Sequence, residues 1–136
     1  PKYRIVAEQT ANWARDQGLT VTQNILTSLT GRPPQVILAA NDDMALGAAE
    51  AIQSAGLGKQ GIKVVGYDAS PEALRKVRDG EMAATVEQSP GRQIRTALQL
   101  VVARLRNKAE IKSTAIEPVL ITQGNLAAAA RFGELK

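Results

Sequence analysis

The sequence predicts an α/β domain, a parallel sheet flanked by helices on both faces. Three observations carry this expectation. Short strand-like runs alternate with helix-length segments along all 136 residues, the pattern that builds strand–helix–strand units. The run Val36-Ile37-Leu38 is apolar without polar alternation, as in a parallel strand with both faces covered. Several strand-like runs end in polar residues just before a helix start, at Asn41-Asp42-Asp43, Tyr67-Asp68 and Gln88. In open α/β sheets that edge is where ligands bind.

Residues 3–7 (Tyr-Arg-Ile-Val-Ala) read as a first strand. A loop through Asn12 leads to Trp13. From Ala14 onward, Ala14, Gly18, Val21, Ile25 and Leu29 recur at steps of 4, 3, 4 and 4, which is one face of a helix. Gly18 costs that helix about 1 kcal/mol of propensity relative to alanine, and suits a close approach to the sheet. Thr30-Gly31-Arg32-Pro33-Pro34 stops it. Residues 36–40 form the second strand. The next helix carries Ala45, Ala48, Ala49 and Ile52 on one face and ends at Gly56. Residues 63–66 are the third strand. Ser70-Pro71-Glu72 opens a short helix with a cap, a proline at the first position and an acid in the first turn; Asp79-Gly80 closes it. Residues 82–86 are the fourth strand. Ser89-Pro90 repeats the cap-then-proline start, for a helix with the apolar stripe Ile94, Ala97, Leu98, Val101, Val102 and Leu105. Residues 116–121 read as a fifth strand, at an edge because Pro118 interrupts it. A short helix over 126–132 ends the chain.

Composition excludes several function classes. There are no cysteines and no histidines, so thiolate zinc sites, disulfides, cysteine nucleophiles and histidine triads are absent. No G-x-G-x-x-G or G-x-x-x-x-G-K-[ST] loop cradles a phosphate. The net charge is +4 and the pI about 9.7, but the basic residues are dispersed without aromatic interleaving. Nucleic acid is therefore not an expected partner. The chain is 44% hydrophobic, 22% charged and only 3% aromatic, as for a soluble domain with an aliphatic, alanine-rich core. No run approaches a membrane span, and the start, Pro1-Lys2-Tyr3-Arg4, has no signal-peptide pattern. Asp42, Asp43 and Asp68 could hold Mg²⁺ as in a phosphoacceptor receiver. Their order along the strands, with Asp43 25 residues before Asp68, does not fit one. No enzymatic activity, cofactor or metal is expected.

Trp13, Asn41, Tyr67, Asp68 and Gln88 are the candidate binding residues. An aromatic plane, two carboxamides and a carboxylate around one crevice suit a sugar. The ring stacks on C–H faces, and the polar groups bind adjacent hydroxyls with charge-assisted hydrogen bonds. Each residue also has a plain structural reading. Asp43 would cap the following helix, Asp42 would be exposed, and Tyr67 would pack in the core. Trp13 would pin its helix to the sheet, and Gln88 would satisfy a loop backbone. The carboxamide and carboxylates at 41–43 can cap the helix or hold a polar ligand, and the sequence allows both.

Three segments together carry a family resemblance. They are Ala40-Asn41-Asp42-Asp43-Met44-Ala45-Leu46-Gly47, Val64-Val65-Gly66-Tyr67-Asp68, and Asp79-Gly80-Glu81-Met82-Ala83-Ala84-Thr85-Val86-Glu87-Gln88-Ser89-Pro90. The chain resembles the ribose-binding-protein-like branch of periplasmic sugar-binding proteins, the solute receptors of ABC importers. The resemblance implies one lobe of a type I periplasmic binding fold. It implies that Asn41, Asp68 and Gln88 contact the sugar, that Tyr67 stands at a position usually aromatic, and that Trp13 stacks on the ligand. It gives Asp42 and Asp43 no direct ligand role.

Such receptors close two lobes around the sugar, and a membrane permease reads the closure. The resemblance covers only the C-terminal half, as a single domain over 1–136. Segment 89–113 would then pack on an absent N-terminal lobe. Without that lobe, the helix over 90–106 is expected to cover its stripe on its own sheet or on a second copy, as a homodimer. The implied location is periplasmic, or extracytoplasmic and lipid-anchored as in some relatives, and the ligand a monosaccharide or related polyol. The alternatives are the effector domain of a lactose-repressor-like regulator and a free-standing oligomeric half-domain.

Overall fold

The computed structural model describes residues 2–135; Pro1 and Lys136, the ends of the expected domain, lie outside them. In order come helix α1 (Arg15–Ser28), strand β1 (Val36–Leu38), helix α2 (Asp42–Ser54), strand β2 (Lys63–Val65), helix α3 (Pro71–Arg78), strand β3 (Thr85–Glu87), helix α4 (Pro90–Asn107) and strand β4 (Val119–Ile121). β1 and β2 run parallel, with Ile37 opposite Val64. A parallel bridge from Val65 to Ala84 carries the sheet on towards β3. β4 pairs antiparallel with β3, Thr85 opposite Ile121. The ladder begins only after Pro118, which has no N–H to donate.

α2 is the central helix. Ala45, Leu46, Gly47, Ala48, Ala49, Ala51 and Ile52 are all buried on it, so its small side chains meet neighbours on more than one side. Its caps are local. The Asn41 side chain accepts from the Met44 N–H at 2.9 Å. At the other end Gly56, with φ of 71°, closes a Schellman turn: Leu57 N–H donates to Ile52 O at 3.0 Å and Gly56 N–H to Gln53 O at 2.9 Å. One core cluster joins Leu26 of α1, Ala45, Leu46, Ala48 and Ile52 of α2, Val64 of β2, and Ala73 and Val77 of α3. A second joins Ala69, Leu74, Ile121 and Ala129.

Gly18 works differently from the expectation. It lets α1 approach α2, not the sheet. A Cβ on Gly18 would stand 2.7 Å from Met44 O and 2.8 Å from Met44 Cα, and one on Gly47 would fall on the backbone oxygen of Arg15. The two glycines face each other's helices and set their separation. The buried face of α1 is accordingly Gly18, Thr22 and Leu26, with Val21, Ile25 and Leu29 half-buried at its flank. Arg15 adds a 2.9 Å ion pair to Glu72 of α3; half-exposed pairs of this kind contribute little.

Other expectations are corrected. Residues 3–7 form no strand: they are exposed and unpaired, with Tyr3 82% and Ile5 80% accessible. β1 pairs only with β2 among the described strands; its other edge is open, and residues 3–7 do not pair with it. β1 is parallel as expected, yet helices cover only the face bearing Ile37; Val36 and Leu38 point the other way and are 50% and 77% accessible. Ser89 does not cap α4. It has φ of 53° and no side-chain cap bond, although Pro90 does open the helix. The last helix is instead two 3-10 segments, Gln123–Ala128 and Phe132–Glu134. Asn125 breaks the first with a non-helical conformation and bonds back to Thr122 N–H at 2.7 Å. α4 does not fold back on its own sheet, and none of its residues is buried.

Replacing Gly47 by alanine raises intrinsic helix propensity by about 1 kcal/mol but drives a methyl into α1 backbone, an overpacking that costs about 1–3 kcal/mol or more. The variant is expected to melt below the parent in a thermal scan followed by circular dichroism. A Tm equal to or above the parent's would contradict the α1–α2 contact described here.

Candidate functional site

The carboxyl ends of β1, β2 and β3 carry Asn41, Tyr67-Asp68 and Gln88, as expected. One side-chain pair and one side-chain-to-backbone contact form there. Gln88 Nε2 donates to Asp68 Oδ1 at 2.5 Å, which sets the carboxylate of one strand end against the carboxamide of the next. Asn41 Nδ2 donates to the backbone oxygen of Trp13 at 3.2 Å, while its Oδ1 caps α2. The cap and the loop contact use one acceptor and one donor of Asn41 and leave one N–H over. Losing such a cap costs about 1 kcal/mol.

Trp13 is 67% accessible, so it does not pin α1 to the sheet. Its φ of 63°, next to 45° at Asn12, turns the chain sharply before α1, and Ala14 N–H closes this turn on Ala11 O at 3.0 Å. Tyr67 is half-buried and joins the two contacts through its backbone: Tyr67 O accepts from Asp42 N–H at 2.8 Å. The Gln88 side chain goes to Asp68 and not to a loop backbone; its own carbonyl accepts from Gln93 Nε2 at 2.7 Å.

Sequence reasoning missed three residues beneath the site. Asp42, expected to be exposed, is 2% accessible. Its Oδ2 accepts from Ser70 N–H and its Oδ1 from the Thr85 hydroxyl, both at 2.7 Å. Thr85, fully buried, in turn accepts from Ala69 N–H at 3.1 Å. Glu87, 3% accessible, accepts from the N–H groups of Ser89 and, at 2.9 Å, Ala130. The cap is Asn41 and not Asp43, because the helix starts two residues earlier and leaves Asp43 exposed in its first turn. A charged or hydroxyl residue inside an otherwise apolar strand, as at Thr85 and Glu87, was the available signal.

Burial pushes the Asp42 carboxyl above the usual aspartate range; the hydrogen bonds from Thr85 and Ser70 pull it back, and the negative charge of Asp68 adds to the rise. Among the described residues no three acidic side chains gather to hold a metal. The site is an open edge. A polar hollow of about 160 Å³ lies at the opposite ends of the strands, beside Lys63, Asp79 and Glu81, and none of the five candidate residues lines it.

A parallel α/β lobe with a carboxylate–carboxamide pair at its strand ends is the architecture of a ligand-binding lobe. The family profile described as "Periplasmic binding protein domain" matches residues 1–109, and the chain belongs to that family. Its sequence is 44% identical over 90 residues to a ribose import binding protein of Salmonella typhimurium, covering 65% of this chain and 29% of the relative. It is 43% identical over 102 residues to the D-allose-binding periplasmic protein of Escherichia coli, covering 73% and 31%. Among solved structures, the Caulobacter myo-inositol binding protein bound to myo-inositol superposes with a TM-score of 0.91 at 59% identity, over 98% of this chain and 45% of that one. A solute binding protein from Actinobacillus succinogenes with bound D-allose gives 0.83 at 39%, over 91% and 43%. The chain thus spans about three-tenths of the matched curated relatives and under half of these two structures.

One pH effect follows. Asp42 holds its proton in the folded chain at pH values where the unfolded chain, at the ordinary 3.8, has released it. Its contribution to stability is therefore fullest below 3.8 and declines as pH rises through the raised value. Asp42→Asn, which does not titrate, should flatten that part of a denaturant-stability profile against pH; identical slopes in parent and variant would show that Asp42 does not titrate abnormally.

Proposed function

We propose that this chain is the C-terminal, sugar-recognising half of a periplasmic solute receptor for an ABC importer, and that it acts by binding and not by catalysis. The Asp68–Gln88 pair carries the reading. A carboxylate and a carboxamide side by side accept from and donate to neighbouring hydroxyls of one ring. Asn41 offers its remaining N–H, and the exposed Trp13 offers an aromatic face. The similar proteins include a ribose import binding protein, a D-allose-binding protein and a myo-inositol binding protein; all three ligands are neutral and polyhydroxylated, which is what this edge suits. These relatives are import receptors, and that favours the receptor over a transcription regulator. The other side of the ligand would be enclosed by a second lobe through hinge closure, and the permease would read the closed form.

The same reading gives α4 an occupant. Ile94, Leu98, Val101 and Leu105 are 63%, 59%, 47% and 77% accessible, an unbroken apolar stripe on a helix that touches no core. The matched proteins extend well beyond this chain. α4 would cross to the other lobe and bury the stripe there; without that lobe a second copy of the chain would cover it.

Titrating myo-inositol, D-ribose and D-allose against intrinsic fluorescence tests the binding site, because Trp13 is the sole tryptophan. A saturable change with one of them, abolished in Asp68→Ala, is the expected result; a change that survives Asp68→Ala would remove Asp68 from the site. For α4, sedimentation should show self-association that Leu98→Glu reverses. A strictly monomeric parent chain would count against the second-copy arrangement.

A further inference from the structure

We propose that Asp42 is the positioning residue of this site, its buried carboxylate holding the left-handed turn at 68–69 that presents Asp68 to the ligand. The proposal rests on the reading of Asp68 as the sugar-gripping carboxylate. Asp68 and Ala69 have φ of 123° and 50°. Residues with a Cβ avoid that region, so the turn persists only if its surroundings over-determine it. Those surroundings converge on one residue. Ser70 N–H donates to Asp42 Oδ2 at 2.7 Å. Ala69 N–H donates to Thr85 Oγ1 at 3.1 Å, and that hydroxyl donates onward to Asp42 Oδ1 at 2.7 Å. Tyr67 O accepts from the Asp42 N–H at 2.8 Å. Only Asp68 N–H goes elsewhere, to Val86 O of β3 at 2.9 Å.

The seat of this carboxylate is closed and shaped. Asp42 and Thr85 are 2% and 0% accessible, so water does not replace a lost bond. A Cβ on Gly66 would fall on Asp42 Oδ1, so the residue before Tyr67 must lack a side chain for the carboxylate to fit. Asp42 itself is held by α2, whose cap Asn41 reaches Trp13. The strut therefore links the Trp13–Asn41 pair to the Asp68–Gln88 pair through rigid parts.

Two variants test the strut. Thr85→Val keeps shape and removes the hydroxyl relay. Asp42→Asn keeps shape too, but its amide brings a donor where the cage offers donors, so one bond in the relay has no acceptor. The readout is amide hydrogen exchange by NMR on the full chain. Both variants should lower protection of Ala69 and Ser70 by at least about tenfold beyond any change at the α2 and β2 amides, and Thr85→Ser should restore it. The double variant should lose less than the two single effects combined, since both cut one relay. A uniform loss across all amides would mean a merely structural role, and unchanged protection at Ala69 and Ser70 would mean that the turn holds itself; either overturns the proposal. The exchange result does not depend on sugar binding. A failed titration with intact strut behaviour would therefore count against the sugar reading alone, and an intact titration with unchanged exchange against the strut alone.

Discussion

Two adjacent side chains at the end of β1 hold the functional edge together. Asn41 points one way, capping α2 and reaching the loop at Trp13. Asp42 points the other way, into the buried space between β2, β3 and the start of α3. The end of β2 and the start of β3 are tied to this dipeptide directly, through Tyr67 O and the Thr85 hydroxyl, and Gln88 joins them through Asp68. The constraint is polar and buried, so it is directional as well as cohesive. An apolar plug at position 42 would fill the same space, but it would leave Ser70 N–H and the Thr85 hydroxyl without partners.

The rest of the molecule permits that arrangement through small residues. The run from Ala45 to Ala49 keeps α2 thin enough to lie between α1 and the sheet, and Gly18 and Gly47 let the helices touch backbone to backbone. With 3% aromatic residues, the core gains its density from close approach and not from large side chains. The acidic first turn of α2 also places negative charge at a helix N-terminus, which the helix dipole favours.

Two surfaces are left without cover among the described residues: the face of β1 bearing Val36 and Leu38, and the stripe of α4. Both are apolar in a pattern that belongs to a buried interface. Expectations drawn from the chain failed at the first of these and at residues 3–7. The apolar run 36–38 and the strand-like run 3–7 promised a buried strand and a paired one, because hydrophobicity and β-propensity report what a segment is suited to bury. They do not report whether a neighbour is present to bury it against. A strand exists only with its partner, and residues 3–7 have none here.

What the sequence alone determined is the part governed by short range. It supplied the alternation of strands and helices, the Ser70-Pro71 and Gly56 boundaries, the edge position forced by Pro118, the strand ends that bear Asn41, Asp68 and Gln88, and the motifs that mark the family. Each depends on residues within a few positions of one another, through backbone preference or one local hydrogen bond. Tertiary structure alone decided which polar residues are buried, which helix a glycine faces, and which side chains meet. Asp42 and Asp43 are chemically identical neighbours, yet one is buried and bonded to residues 28 and 43 positions away while the other faces solvent. Rotation about a helix axis by one residue separates them, and only the packing of α2 against the strands sets that rotation.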